Sequence, residues 1–138
     1  MKKLFYLFLI LFSLSNYSQT KSEETLGYAC GYSGSETKLV SKFDSLLFEK
    51  KYKSIKSLLF SKIPGENFLA VVLCRRLANE KIITLTKLET ERITQLFKSE
   101  QKVPLCGGCT YNEEIEISKL LANQENTTAA MEFFFRVQ

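Results

Sequence analysis

The chain has 138 residues, of which 45% are apolar and 25% charged, and its formal net charge is +4. This length and balance indicate one globular domain with enough apolar residues for a core. The absence of histidine excludes a Ser-His-Asp triad, a Cys-His pair, imidazole-ligated zinc and histidine-ligated haem. The sequence predicts no catalytic residue, no cofactor and no metal site.

The N-terminus has the pattern of a secretory signal peptide. Lys2 and Lys3 precede an apolar run over residues 4–14 and then small polar residues. The run is shorter than the stretch of about 20 residues that spans a bilayer. We expect residues 1–18 to be removed, with cleavage after Ser18 or alternatively after Ser15. The protein is then exported, periplasmic or extracellular, and has no transmembrane segment.

Signal removal lowers the net charge of the chain. Lys2 and Lys3 leave with no acidic residue, so 17 of the 19 basic residues face 15 acidic ones and the net charge becomes +2. The lysines over residues 50–56 alternate with apolar positions at helical spacing, which is typical of a solvated helix face. No basic stripe remains that would predict nucleic-acid binding.

The positions of glycine and proline predict a mainly α-helical fold. Stretches 35–63, 66–103 and 109–138 contain neither glycine nor proline. Pro64 and Gly65 separate the first two stretches, and Pro104, Gly107 and Gly108 lie between the last two. We expect a Gly- and Tyr-rich loop over 19–34 and a helical domain over 35–122. A polar linker and an apolar C-terminal segment follow over 123–138. The domain is predicted to be a small bundle of four to five helices stabilised by a disulfide.

The first helix pair has clear sequence signals. Ser33 and Glu36 have the spacing of a capping box. One apolar stripe follows at intervals of three and four residues: Leu39, Val40, Phe43, Leu46 and Leu47. A second, shorter helix is predicted over the apolar positions Tyr52, Ile55, Leu58 and Leu59.

The second helix pair begins at Pro64, which suits the first turn of a helix. Residues 68–74 are apolar on every side, so this helix should be the most buried element. Arg75 and Arg76 mark the end of that burial. Thr86 and Glu89 repeat the capping-box spacing at the start of a fourth helix.

The sequence after Thr110 has two interpretations, a helix or a strand. Thr110 offers a cap for a helix that carries Leu120, whereas residues 114–117 alternate as a strand does. On the helical interpretation, Glu113, Glu114 and Glu116 form an acidic first turn. The three phenylalanines over 133–135 are predicted to dock on the core, with an exposed partner-binding tail as the alternative.

The two helix pairs over residues 36–98, with the second opening on Pro64 and running through the apolar residues 70–73, resemble HEAT-type α-hairpin repeats. The resemblance implies a helical scaffold that presents a surface to a partner. It covers at most two repeat units and carries over no functional residue.

Four cysteines are the strongest candidates for a structural or chemical role. In an exported chain disulfides are the default. Cys74 lies in the apolar run and is predicted to be a buried free thiol. Cys30, Cys106 and Cys109 lie in loops, so we expect Cys30 to bond to Cys106 or Cys109, with a local Cys106–Cys109 bond as the rival.

Two function classes remain. The first is a non-enzymatic module that binds another protein or an envelope component. The second is a thiol-disulfide oxidoreductase that uses Cys106 and Cys109, whose CxxC spacing suits an attacking and a resolving thiol. In that case a helix capped by Thr110 would place its positive end beside Cys109. A cysteine zinc site is not predicted, because the second pair of ligands is missing.

Overall fold

A computed structural model describes residues 24–109 and 111–136. Within these ranges the chain forms six α-helices, one 3₁₀ turn and one antiparallel strand pair. In chain order they are α1 (Lys38–Phe48), α2 (Tyr52–Ser57), the 3₁₀ turn Leu58–Phe60, α3 (Pro64–Asn79), α4 (Lys87–Leu96), β1 (Lys102–Gly107), β2 (Tyr111–Glu116), α5 (Ile117–Ala122) and α6 (Gln124–Phe134). The prediction of a mainly helical, disulfide-stabilised fold is confirmed. The predicted signal peptide over 1–18 lies outside the described residues.

Helix α3 is the centre of the fold. It contacts α1, α2, α4, α5, α6 and β1, and every residue from Gly65 to Cys74 is buried. A helix that is apolar on all sides has to be surrounded by other elements, because packing against one face alone would leave the apolar side chains of the other faces in water. The prediction that this helix is the most buried element is confirmed.

Two polar residues are buried in the first turns of α3 and fix the preceding 3₁₀ turn. The side-chain amide of Asn67 donates hydrogen bonds to the carbonyls of Leu58, Leu59 and Ser61, at 3.0, 3.3 and 3.1 Å. Glu66, which is 5% exposed, accepts hydrogen bonds from Lys42 and from the Ser61 hydroxyl. The Asn67 amide therefore gives the carbonyls of this short segment a side-chain donor, in addition to the backbone N–H of Ser61 that the Leu58 carbonyl already accepts.

The predicted capping box at Thr86 is present. The Thr86 hydroxyl accepts from the backbone N–H of Glu89, and the Glu89 carboxylate accepts from the backbone N–H of Thr86. Lys56 on α2 lies 3.1 Å from the same carboxylate. Burial raises the pKa of Glu89, but the hydrogen bonds from Thr86 and Lys56 outweigh it and hold the pKa below its ordinary value.

The capping box predicted at Ser33 and Glu36 is wrong. Helix α1 begins at Lys38, and Thr37 at its N-cap makes no side-chain capping hydrogen bond. The backbone N–H of Cys30 donates to the carbonyl of Ser35 at 2.7 Å. This hydrogen bond closes residues 30–35 into a turn that contains Ser33. Glu36 follows the turn and precedes the first helical residue, so the predicted box does not lie at the start of the helix.

The C-terminal third also differs from the prediction. Residues 111–116 form strand β2, as the alternative strand interpretation of residues 114–117 indicated. The helix that carries Leu120 begins only at Ile117 and not at Thr110, which itself lies outside the described residues. The polar stretch from Asn123 was expected to be a linker. Instead, the Asn123 side chain caps α6 by accepting from the backbone N–H of Glu125 at 2.8 Å. Phe134 is buried, as predicted for a docked terminus.

The hairpin changes the expected role of the glutamates. Glu113, Glu114 and Glu116 lie on β2, where successive side chains alternate between the two faces. They therefore form no acidic helical turn. Glu116 pairs instead with Lys119 at 3.1 Å. Among the described helices, none has both the length and the apolar content needed to cross a bilayer.

Candidate functional site

The N-terminal segment runs alongside β1 as a third, irregular strand. Leu26 exchanges backbone hydrogen bonds with the Pro104 carbonyl and the Cys106 N–H, at 2.8 and 2.9 Å. Farther along, the N–H of Gly108 donates to the Ala29 carbonyl and its own carbonyl accepts from Gly31, both at 2.9 Å. These parallel contacts place Cys30 next to Gly108.

Cys30 and Cys106 form a disulfide across this contact. Their Cα atoms are 5.7 Å apart and 76 positions separate them in the chain. Of the two partners predicted for Cys30, the structure has Cys106, and the rival Cys106–Cys109 bond is absent from the described residues. Gly27 packs directly beneath the two sulfurs, and a Cβ at this position would lie 2.7 Å from the Cys106 carbonyl oxygen.

The other two cysteines are free thiols in opposite environments. Cys74 is fully buried in α3, and burial raises the pKa of its thiol to about 12, with the nearby Glu89 adding to this effect. Cys109 is exposed at the tip of the hairpin. It lines a cavity of about 360 Å³ together with Cys30, Cys106 and Gly108.

The hairpin removes one support for the oxidoreductase hypothesis. That hypothesis placed a helix N-terminus after Cys109, because a helix dipole favours a thiolate there. The residues that follow form β2 instead, and Cys106 is bonded to Cys30. In the part of the chain that the structure describes, no cluster of three or more potential metal-ligating side chains is available to hold an ion.

A second feature is a groove that the sequence did not predict. The C-terminal ends of α1, α3 and α6 meet around an open depression of about 580 Å³, which we term the helix-end groove. Phe48 and Ile82 line it and are 77% and 47% exposed, although both are large and apolar. The rings of Phe134 and Phe135 line the side formed by α6.

Backbone geometry places these side chains at the helix ends. Lys50 and Lys81 have φ angles of 54° and 60°, in the left-handed region that commonly ends a helix. The N–H of Lys50 donates to the Leu47 carbonyl at 3.0 Å, and that of Lys81 donates to the Ala78 carbonyl at 3.0 Å. The chain therefore reverses sharply just after Phe48 and just before Ile82.

Charged side chains surround the apolar part of the groove. Arg76 pairs with Glu80 at 2.5 Å, and its guanidinium lies 5.6 Å from the centre of the Phe135 ring. Asp44, Lys50 and Arg136 also line the groove. No ion pair joins any of these three to another described residue. The Arg136 guanidinium donates to the Phe133 carbonyl at 3.3 Å and lies 4.6 Å from the centre of the Phe133 ring.

Arg75 and Arg76, which follow the buried run of α3, have specific ring contacts. Arg75 lies 5.2 Å from the centre of the Phe97 ring, and Arg76 contacts Phe135 as above. The lysines over residues 50–56 are exposed, apart from Lys56, which is half-buried and pairs with Glu89. The residues that sequence reasoning missed are Phe48 and Ile82. Phe48 lies off the apolar stripe of α1, and that mismatch was an available signal.

Comparison of the chain with known protein families, with curated proteins and with solved structures finds no match. The fold therefore defines only a class: a small helical protein with a disulfide that attaches its N-terminal segment to a hairpin. The similarity to HEAT-type repeats stays a resemblance of sequence pattern.

Proposed function

We propose that this protein is an exported, non-enzymatic binding module, and that the helix-end groove binds an extended segment of another protein. The observation that carries the proposal is that two large apolar side chains, Phe48 and Ile82, are exposed and line the same open depression. Large apolar side chains exposed together are typical of interaction sites. The disulfide is compatible with export, because such bonds persist in oxidising compartments.

The apolar part of the groove suggests what the partner contributes. Phe48 is 77% exposed, and complete burial of a phenylalanine contributes about 1.5–3 kcal/mol. Covering it with an apolar side chain would therefore contribute about 2 kcal/mol, or about 30-fold in affinity. The partner segment needs a large apolar residue to obtain this contribution.

The charges suggest what flanks that residue. Lys50 and Arg136 outnumber Asp44 among the groove charges that have no ion-pair partner in the described residues. A segment with an aspartate or glutamate next to its apolar residue complements this distribution. We therefore expect an acidic-apolar segment, and we expect its affinity to fall as the salt concentration rises.

A peptide-display selection tests the proposal. The probe is a library of random linear peptides displayed on phage, selected on the full disulfide-bonded protein. We expect the enriched peptides to share a large apolar residue beside an acidic one. Their dissociation constants are then measured by fluorescence anisotropy for the wild type, Phe48→Ser and Leu88→Ser.

Leu88→Ser is the matched control, because Leu88 is 64% exposed on α4 and does not line the groove. We expect Phe48→Ser to weaken binding by about 30-fold and Leu88→Ser to leave it unchanged. Neither variant should lose more than about 0.5 kcal/mol of stability, since both side chains are exposed. Selection of no peptide, or equal binding to the two variants, contradicts the proposal.

Sedimentation velocity distinguishes a partner from a second copy of the chain. We expect a monomer across the accessible concentrations. A dimer that Phe48→Ser dissociates and Leu88→Ser does not would mean that the groove binds another copy, and the proposed partner would be wrong.

The oxidoreductase alternative has its own assay. For a binding module we expect no reduction of insulin disulfides above the rate with dithiothreitol alone. Turnover that Cys106→Ala abolishes would favour the enzyme class instead. Cys74→Ala serves as the control, because a thiol buried in α3 cannot reach an external disulfide.

A further inference from the structure

Three of the four cysteines form one cluster. Cys30, Cys106 and Cys109 line the same cavity of about 360 Å³. Two of them are bonded and the third is an exposed thiol. A thiol beside a disulfide is the arrangement that thiol-disulfide exchange requires, because the attacking sulfur has to reach a sulfur of the existing bond.

The hairpin brings Cys109 within reach of that bond. Cys106 is the fifth of the six residues of β1, and Cys109 follows it after Gly107 and Gly108. Gly108 has a φ of 58°, and no atom lies within 4 Å of the position a Cβ would occupy there. The loop between the two cysteines therefore has open space at Gly108, so a shift of the hairpin tip that breaks the Gly108 hydrogen bonds to Ala29 and Gly31 can bring their sulfurs together.

The alternative pairing with Cys30 is less accessible. Gly108 exchanges backbone hydrogen bonds with Ala29 and Gly31 on either side of Cys30. A Cys30–Cys109 bond has to form between two hydrogen-bonded segments. A Cys106–Cys109 bond forms within one hairpin and needs only the tip around Gly108 to move away from Ala29 and Gly31.

We propose that these cysteines form an internal disulfide-exchange site with two bonded states. The Cys109 thiolate attacks the Sγ atom of Cys106, the Cys106–Cys109 bond forms, and the Cys30–Cys106 bond breaks. Cys30 leaves as a thiolate and takes up a proton. The step exchanges one disulfide for another and needs no external oxidant or reductant.

The exchange converts a long-range link into a local one. The Cys30–Cys106 bond joins positions separated by 76 residues, whereas Cys106 and Cys109 are three positions apart. After exchange, only backbone hydrogen bonds and side-chain packing hold the N-terminal segment to β1. Leu26 and Tyr28 of this segment line an apolar cavity of about 210 Å³ together with Phe68 and Leu120, so release of the segment would open that cavity.

Peptide mapping of the intact oxidised protein tests the proposal. The protein is incubated at pH 8, its free thiols are blocked with N-ethylmaleimide first natively and then in denaturant, and it is digested with trypsin without reduction. Cys30 falls in peptide 22–38, and Cys106 and Cys109 share peptide 103–119. In the starting state the Cys30–Cys106 bond links the two peptides, and the Cys109 thiol carries the blocking group.

The exchanged state has a different signature. Peptide 103–119 then carries an internal disulfide and is two hydrogen atoms lighter than its reduced form, while peptide 22–38 carries a blocked Cys30. We expect both states after incubation and only the linked peptides before it. Cys109→Ser should give only the linked peptides at every time. Linked peptides alone in the wild type would overturn the proposal, and so would fragment ions that show a Cys30–Cys109 bond.

Cys30→Ser gives a second, independent measurement. In a buffer of reduced and oxidised glutathione we expect this variant to form the Cys106–Cys109 bond, because both sulfurs are free on one hairpin. Its circular dichroism spectrum establishes that it is folded. The same buffer should form the Cys30–Cys106 bond in Cys109→Ser. If Cys30→Ser is folded but keeps Cys106 and Cys109 reduced in that buffer, the proposal is overturned.

Discussion

Removal of the Cys30–Cys106 disulfide should destabilise the fold strongly. The perturbation is the double variant Cys30→Ala/Cys106→Ala, which also removes any competing bond to Cys109. The bond closes a loop across 76 positions. In the chain-entropy account, a loop of this length lowers the entropy of the unfolded chain enough to contribute about 4.5 kcal/mol to stability.

This magnitude translates into a large shift in melting temperature. For an ordered part of roughly 110 residues, 1 kcal/mol corresponds to about 4 °C. We therefore expect the melting temperature of the double variant to be about 18 °C lower than that of the oxidised wild type. Thermal unfolding followed by circular dichroism at 222 nm, with and without a phosphine reductant, measures the difference.

Two controls make the measurement specific. The reductant should lower the melting temperature of the wild type to that of the double variant and leave the double variant unchanged. Cys109→Ser, assayed oxidised, should have the same melting temperature as wild type that has not been incubated for disulfide exchange, since both then have the long-range bond. A double variant that melts within about 5 °C of the wild type would show that the bond does not act by restricting the unfolded chain.

Three further predictions concern buried polar groups and thiols. Asn67→Leu should lower the free energy of unfolding in urea by about 1–3 kcal/mol, because the Ser61 carbonyl loses its donor and the Leu58 and Leu59 carbonyls each lose one of two donors. A loss below about 0.5 kcal/mol would contradict this role. Glu89→Gln should cost about 0.5–1 kcal/mol at pH 7 through the lost ion pair with Lys56, whereas the capping box remains, because the neutral amide oxygen still accepts from the Thr86 N–H. Since the folded pKa of Glu89 lies below the unfolded value of about 4.3, its contribution is present above that pH and is lost as the pH falls through the folded pKa. The stability difference between wild type and variant should therefore shrink in urea titrations at pH 3, and a constant difference would refute the assignment. Native protein should react with one equivalent of Ellman's reagent, at Cys109. A second equivalent should react only after denaturation exposes Cys74. Two equivalents in the native state would place Cys74 in solvent.

Local sequence signals determined the helices that depend on local chemistry. Pro64 occupies the first turn of α3 because its missing N–H costs nothing there. Thr86 and Glu89 make the predicted capping box because both partners lie within one turn. The burial of α3 follows from its uninterrupted apolar run, which no exposed helix can have.

Tertiary contacts decided the remaining elements, because their partners are distant in the chain. Residues 111–116 become a strand since they pair with β1, and β1 in turn pairs with the segment from Leu26. The capping box at Ser33 does not form because the turn closed by Cys30 and Ser35 takes its place. No local pattern encodes these pairings.

The candidate sites divide in the same way. Cysteine spacing and the predicted export indicated which three cysteines could bond, because loop cysteines in an exported chain are expected to pair. The choice of Cys106 over Cys109 required the parallel contact between Cys30 and Gly108. The helix-end groove could not be read from the sequence, because three helix ends separated by many residues form it and only packing around α3 brings Phe48 and Ile82 together.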